Sequence, residues 1–77
     1  MIDALKYRGL FIEMRRVMGH TELTCAGIVK VEALSDSVVV LAAHGGRLKV
    51  WGRALSVAVF EGRAVKVIGV ILGVELL

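Results

Sequence analysis

Few residues of this chain can do chemistry, and their spacing limits what they can do. His20 and His44 are its only imidazoles and Cys25 its only thiol. A zinc site commonly takes four ligands in closely spaced pairs, and no such pairs occur here. The expectation is a buried structural thiol with two turn histidines, and neither a metal nor a cofactor. Nucleophilic catalysis by Cys25 would need a base and an orienting group beside it, yet its surroundings read as apolar strand. Glu13, Glu22, Glu32, Glu61 and Glu75 show no pairing of the acid–base kind. Gly45-Gly46-Arg47 lacks the glycine spacing, the Lys-Ser/Thr and the following helix of a phosphate-binding loop, and a strand follows it, so it reads as a hairpin turn. No enzyme activity is expected.

The remaining chemistry is recognition. Arg47, Lys49 and Trp51 alternate along one strand and share a face, and Lys6, Arg8, Arg15 and Arg16 cluster near the N-terminus. Small β-barrels bind single-stranded nucleic acid with basic grooves and aromatic platforms. Those platforms combine several aromatics, whereas Trp51 is alone on its face. Nucleic-acid binding is therefore the alternative reading, behind protein–protein contact.

Composition favours contact with a partner. The chain has 77 residues, enough for one small domain, and 57% of them are apolar. A chain of this length buries only about 60% of the surface it exposes when unfolded. Apolar material in excess of that faces a partner, because large exposed apolar patches mark interaction sites. Ten basic residues against seven acidic ones give a formal charge of +3, which bears on weak attraction to nucleic acid or membrane rather than on fold. A single cysteine excludes an intrachain disulfide and suits a reducing compartment. The N-terminus carries Asp3, Lys6 and Arg8 where the apolar segment of a signal peptide would lie. The longest apolar run, residues 65–77, includes Lys66 and Glu75 and is too short for a spanning helix, which needs roughly 20 residues. A cytoplasmic location is expected.

The elements that position these residues are short valine-rich runs bounded by turn residues, which favour strands. From about residue 22 onward they read as an antiparallel meander. A two-residue turn at Asp36-Ser37 sets Ala33 opposite Val40 and Val31 opposite Ala42. A three-residue turn at His44-Gly45-Gly46 sets Val40 opposite Val50 and Ala42 opposite Leu48. The predicted core face is then Val29, Val31, Ala33, Val38, Val40, Ala42, Leu48 and Val50. The outer face is Lys30, Glu32, Leu34, Val39, Leu41, Ala43, Arg47, Lys49 and Trp51. A three-residue loop at Glu61-Gly62-Arg63 sets Val59 opposite Val65 and Val57 opposite Val67. Farther along that hairpin Leu55 faces Gly69, Gly52 faces Leu72, Val50 faces Val74 and Leu48 faces Leu76. The apolar positions change parity at Gly52 on one strand and at Gly69 on the other. One bend crossing both strands accounts for this, since glycine permits the kink or bulge that turns a sheet corner. The predicted fold class is all-β, a small antiparallel barrel or sandwich made from a bent meander. Residues 1–20 form an N-terminal segment beside a 21–77 β-domain. Tyr7, Leu10, Phe11, Met14, Val17 and Met18 fall at helical spacing there, while "LFIEMRRV" also passes as a strand, so both remain open.

The stretch "GIVKVEALSDSVVVLAAHGGRLKVWGRALSVAVFEGRAVKVIGVILGVEL" resembles the YabP/YqfC family of sporulation proteins. The matching segments are Gly46-Arg47-Leu48-Lys49-Val50-Trp51-Gly52, Leu55-Ser56-Val57 and Val65-Lys66-Val67-Ile68-Gly69-Val70-Ile71, within a resemblance covering about residues 21–76. The chain departs from the family pattern at Leu23-Thr24-Cys25-Ala26, where a polar segment is usual. The resemblance implies a small non-catalytic β-protein of endospore formation on the mother-cell side, with a membrane-associated sporulation protein as a partner.

In the predicted register Leu34, Val39 and Trp51 line up across three strands of the outer face, with Arg47 and Lys49 beside them. Interface centres favour aromatics with a polar rim. These five residues are the expected partner-binding site, self-association is the expected use, and Trp51 the expected anchor. Cover by a second layer of the same chain is the competing account.

Overall fold

The computed structural model describes residues 2–7, 10–60 and 63–77. These form seven strands: β1 (Ile2–Tyr7), β2 (Leu10–Val17), β3 (His20–Ala26), β4 (Ile28–Leu34), β5 (Val38–Ala43), β6 (Gly46–Phe60) and β7 (Ala64–Leu76). All pairings are antiparallel, in one open sheet of order β1-β2-β3-β7-β6-β5-β4. The all-β expectation holds, as a sheet not closed into a barrel.

The N-terminal ambiguity resolves to strand. Leu10 and Ile12 are buried and Phe11 between them is exposed, the period-two pattern of a strand with one face on a core. β2 pairs with β1 from Ile2↔Arg15 to Tyr7↔Leu10 and with β3 from Phe11↔Ala26 to Val17↔His20. The segment expected beside the β-domain is thus hydrogen-bonded into the same sheet. Arg8 and Gly9 lie outside the described residues. The meander is also not continuous. β3 pairs with β2 and β7 but not with β4, and the chain passes from β3 to the opposite edge of the sheet through Gly27 alone. There the Ile28 N–H donates to the Arg63 carbonyl at 3.1 Å, tying the start of β4 to the start of β7.

The long β6–β7 hairpin carries the corner. Its pairs include Val59↔Val65, Val57↔Val67, Val50↔Val74 and Leu48↔Leu76, as predicted. The register expected for its loop extends to Phe60↔Ala64, while Glu61 and Gly62 of the loop lie outside the described residues. Two irregularities interrupt the ladder. Between Arg53↔Val70 and Ser56↔Ile68, β6 carries one extra residue; between Trp51↔Gly73 and Gly52↔Ile71, β7 carries Leu72 as an extra. Gly52 therefore faces Ile71 instead of Leu72. One bulge on each strand moves both parities together and then returns the register to its starting sum. A straight strand of 15 residues would reach about 50 Å at ~3.3 Å per residue, whereas the longest dimension of the molecule is 31 Å. The hairpin is bent. Gly52 is required where the two strands press together: a Cβ on it would collide with the Val70 carbonyl oxygen. A Cβ on Gly69 (φ +149°) would lie 2.7 Å from the Ala54 carbonyl oxygen.

Folding the sheet at this corner brings its two arms over one core. Leu10, Ile12, Leu23, Cys25, Val65 and Val67 from one arm join Ile28, Val39, Leu41, Leu48 and Val50 from the other, with Leu55 at the bend. The register of β5 differs from the prediction. The turn after it has two residues, His44-Gly45, and the pairs run Val39↔Val50, Val40↔Lys49, Leu41↔Leu48 and Ala43↔Gly46. This one-residue change inverts the face of β5. Val39 and Leu41, predicted on the outer face, are fully buried, and Val38, Val40 and Ala42, predicted as core, are only partly buried. On β4 the turn end follows the prediction, with Ala33↔Val40 and Leu34↔Val39. Irregularities at Ile28/Lys30 and Val31/Ala33 then shift the pairing, so Val31 faces Leu41 and Val29 is exposed.

Candidate functional site

Trp51 sits on β6 just before the bend. Its cross-strand partners are Val38 on β5 and Gly73 on β7. The indole lies on Gly73, in the space that a side chain there would fill. One side of the ring is thus seated on its own chain while the residue remains 36% exposed. Trp51 thus covers a glycine of the neighbouring strand and remains partly exposed.

Charged residues of both signs flank it. The Lys49 ammonium lies 6.0 Å from the indole centroid, at the outer limit of a cation–π contact, and Lys49 faces Glu75 across the β6–β7 ladder. The Arg47 Nε–H donates to Glu32 Oε1 at 2.9 Å. Glu32 is the residue left out of the pairing at the Val31/Ala33 irregularity of β4, and it reaches Arg47 across β5. The face therefore has an aromatic centre, partly buried Val38 and Val40 beside it, and a rim of charged residues of both signs, one pair of which is joined.

Of the five predicted partner-binding residues, the structure gathers Trp51, Lys49 and Arg47. It removes Val39, whose side chain is fully buried between Leu34 and Val50 in the ladder. It also separates Leu34, which is 62% exposed but pairs with Val39 and so belongs to the opposite row from Trp51. The cause is the same one-residue register change at the His44-Gly45 turn.

The titratable groups singled out in the sequence are dispersed. Cys25 is buried in the core, and its burial pushes the thiol up to about 12. His20 Nε2 lies 3.4 Å from Glu22 Oε2, and Lys66 Nζ lies 3.3 Å from Glu22 Oε1. The Lys66 hydrogen bond, followed by that of His20, holds the Glu22 carboxyl below its ordinary value. The Arg63 Nη1–H donates to His44 Nε2 at 3.2 Å. Among the described residues no three His, Cys, Asp or Glu side chains are placed to hold a metal ion.

Comparison with known protein families and with characterised proteins finds no match to this chain. Its function must be read from its surface.

The reading from sequence missed two surface features. The Arg47–Glu32 pair depends on the β4 irregularity, for which no turn residue or glycine gives a signal. The β2–β3 connection, Met18-Gly19, had a signal: a glycine in the second place of a two-residue turn between two strands. Met18 there is 96% exposed.

Proposed function

We propose that this chain is a non-enzymatic assembly domain that acts through protein–protein contact, including contact with further copies of itself. Trp51 is the anchor and Arg47, Lys49, Glu32 and Glu75 form the polar rim. The observation that carries this reading is Trp51 itself: a tryptophan seated against Gly73, partly exposed, and flanked by charged residues of both signs, of which Arg47 is paired with Glu32. Aromatic centres with polar rims are the usual anatomy of interfaces, and tryptophan is frequent among the residues that dominate binding. The resemblance of the glycine and aliphatic spacing to YabP/YqfC proteins supports placing that assembly in endospore formation, in the mother-cell cytoplasm, beside a membrane-associated partner. The pairing of Arg47 with Glu32 speaks against a nucleic-acid groove, which needs cations free to meet phosphate.

Light scattering coupled to sizing tests the proposal. The parent is expected to run as an oligomer. Trp51→Thr, which keeps a strand-forming residue, is expected to shift it towards monomer while its circular dichroism stays β-type. Lys49→Glu, which unbalances the rim without opening Gly73, should weaken association in the same direction. A parent that is monomeric at every concentration, or a folded Trp51→Thr protein of unchanged size, would overturn the self-association reading. Nucleic-acid binding that falls steeply with salt would favour the alternative function.

A further inference from the structure

The β2–β3 hairpin breaks a local rule. Val17 and His20 pair across it, leaving Met18 and Gly19 as a two-residue turn, and both have positive φ, +42° and +89°. This primed turn suits the twist of the flanking strands and strongly favours Asn-Gly or Asp-Gly. A bulky unbranched residue in the left-handed region is disfavoured by roughly 1–2 kcal/mol. Nothing in the fold rewards Met18 for this strain, since it is 96% exposed and packs in no core. A strained residue with no structural return is a reason to look for function.

The surroundings of the turn say what kind. A groove of about 340 Å³ opens beside it, lined by Arg16, His20, Thr21, Val70, Ile71 and Leu72. Leu72, the extra residue of the β7 bulge, is 62% exposed, and Val70 is exposed as well. Three apolar side chains thus project at one end of the molecule. Exposed Arg15 and Arg16 precede the turn on β2, and exposed Arg53 pairs with Val70 on β6. The carboxylate of β3, Glu22, is already held by His20 and Lys66. Exposed Asp36 also adjoins the corner, where its carbonyl accepts from the Leu55 N–H at 2.8 Å, so the end is apolar at its tips with arginine in excess around them.

We propose that this end of the molecule docks on an anionic lipid surface, with Met18 and Leu72 entering the headgroup–acyl boundary and Arg16 and Arg53 meeting lipid phosphates. The charge is complementary to anionic headgroups, and arginine pairs with phosphate through two parallel hydrogen bonds. A methionine on a protruding turn is flexible and needs no shaped pocket, so it can enter a fluid boundary, and the charge around it is what selects an anionic one. Attachment of this kind lies on the bilayer and is reversible and salt-sensitive, because each basic residue near the surface contributes only about 1 kcal/mol. The proposal uses different side chains from the Trp51 contact and stands or falls without it.

The turn chemistry provides a clean test. Met18→Asn removes the apolar tip and at the same time installs the residue this turn prefers, so the variant should melt no lower than the parent. In co-sedimentation with vesicles, the parent is expected to bind phosphatidylcholine–phosphatidylglycerol vesicles at low salt and to leave phosphatidylcholine vesicles in the supernatant. Met18→Asn should bind about tenfold more weakly, as should Leu72→Thr, and Arg16→Gln about fivefold more weakly. Failure of the parent to bind anionic vesicles, or undiminished binding by Met18→Asn, would overturn the proposal. So would a Met18→Asn protein whose oligomer size changes while its vesicle binding does not, which would assign the tip to a second copy of the chain.

Discussion

Gly52→Ala is the substitution to which this fold should be most sensitive. Its added Cβ would collide with the Val70 carbonyl oxygen and would also lie 3.0 Å from the Val70 carbonyl carbon and 3.1 Å from Ile71 Cα. All three are backbone atoms, so no side chain can rotate to make room. The strands must separate at the corner, where the Gly52 N–H donates to the Ser37 carbonyl at 2.9 Å. Overpacking typically costs 1–3 kcal/mol, and each ladder bond disturbed adds about 1 kcal/mol. The expected loss is therefore about 3 kcal/mol or more, from a total of about 4–12 kcal/mol for a chain of this size. The melting point should fall by roughly 12–24 °C. Gly19→Ala is the control, because Gly19 has φ +89° and nothing within 4 Å of its absent Cβ. Only backbone strain applies there, at about 1–2 kcal/mol. Urea unfolding followed by Trp51 fluorescence and by circular dichroism would measure both, and coincident transitions would license the comparison. A Gly52→Ala protein as stable as Gly19→Ala would refute the close-packed corner.

Two further outcomes follow from the core. Cys25 should resist alkylation at neutral pH in the folded protein and react once urea unfolds it, because burial holds its thiol protonated. The same shift makes stability pH-dependent: the unfolded thiol ionises near its ordinary 9.0 and the folded one only near about 12. The contribution is complete below pH 9 and is lost as pH rises towards 12, a slope that Cys25→Ala should remove in alkaline urea titrations. Val39→Thr, which buries a hydroxyl among apolar neighbours, should cost about 1–3 kcal/mol, whereas Leu34→Thr at its exposed partner should stay within about 0.5 kcal/mol. Equal effects at the two positions would contradict the β5 register.

What could be read from the sequence depended on how strongly each strand alternates. The β6–β7 hairpin has apolar residues at fixed offsets on both strands, so pairing Val59 with Val65 at one end and Leu48 with Leu76 at the other leaves one register, and the parity change at Gly52 and Gly69 locates the corner. β5 offers no such constraint. Val38-Val39-Val40-Leu41-Ala42-Ala43 is apolar at every position, so its face depends on the turn length alone, and counting three residues at His44-Gly45-Gly46 instead of two reversed it. That error placed Val39 in the surface patch. Trp51, Lys49 and Arg47 survived because they alternate with Leu48 and Val50 on a strand whose parity the other hairpin fixes. The pairing of β3 with β7 joins segments some forty residues apart and has no local signature. Met18 was visible in the sequence, but its meaning required the positive φ and the exposure of its neighbours.

The two bulges of the β6–β7 hairpin also have a consequence for inheritance. Each adds one residue to one strand, and together they cancel. Without Ala54 and Leu72 the same hairpin would be an unbroken ladder with Leu48, Val50, Leu55, Val57 and Val59 on one side of one strand, faced by Val65, Val67, Ile71, Val74 and Leu76 on the other. The bent hairpin therefore differs from a straight one by two single-codon insertions. Losing either codon alone sets the parity of one strand against that of its neighbour, and losing the second brings the strands back into agreement. The paired deletion would restore the ladder but straighten the hairpin that folds the two arms over one core, so descendants of a chain like this should keep both extra residues.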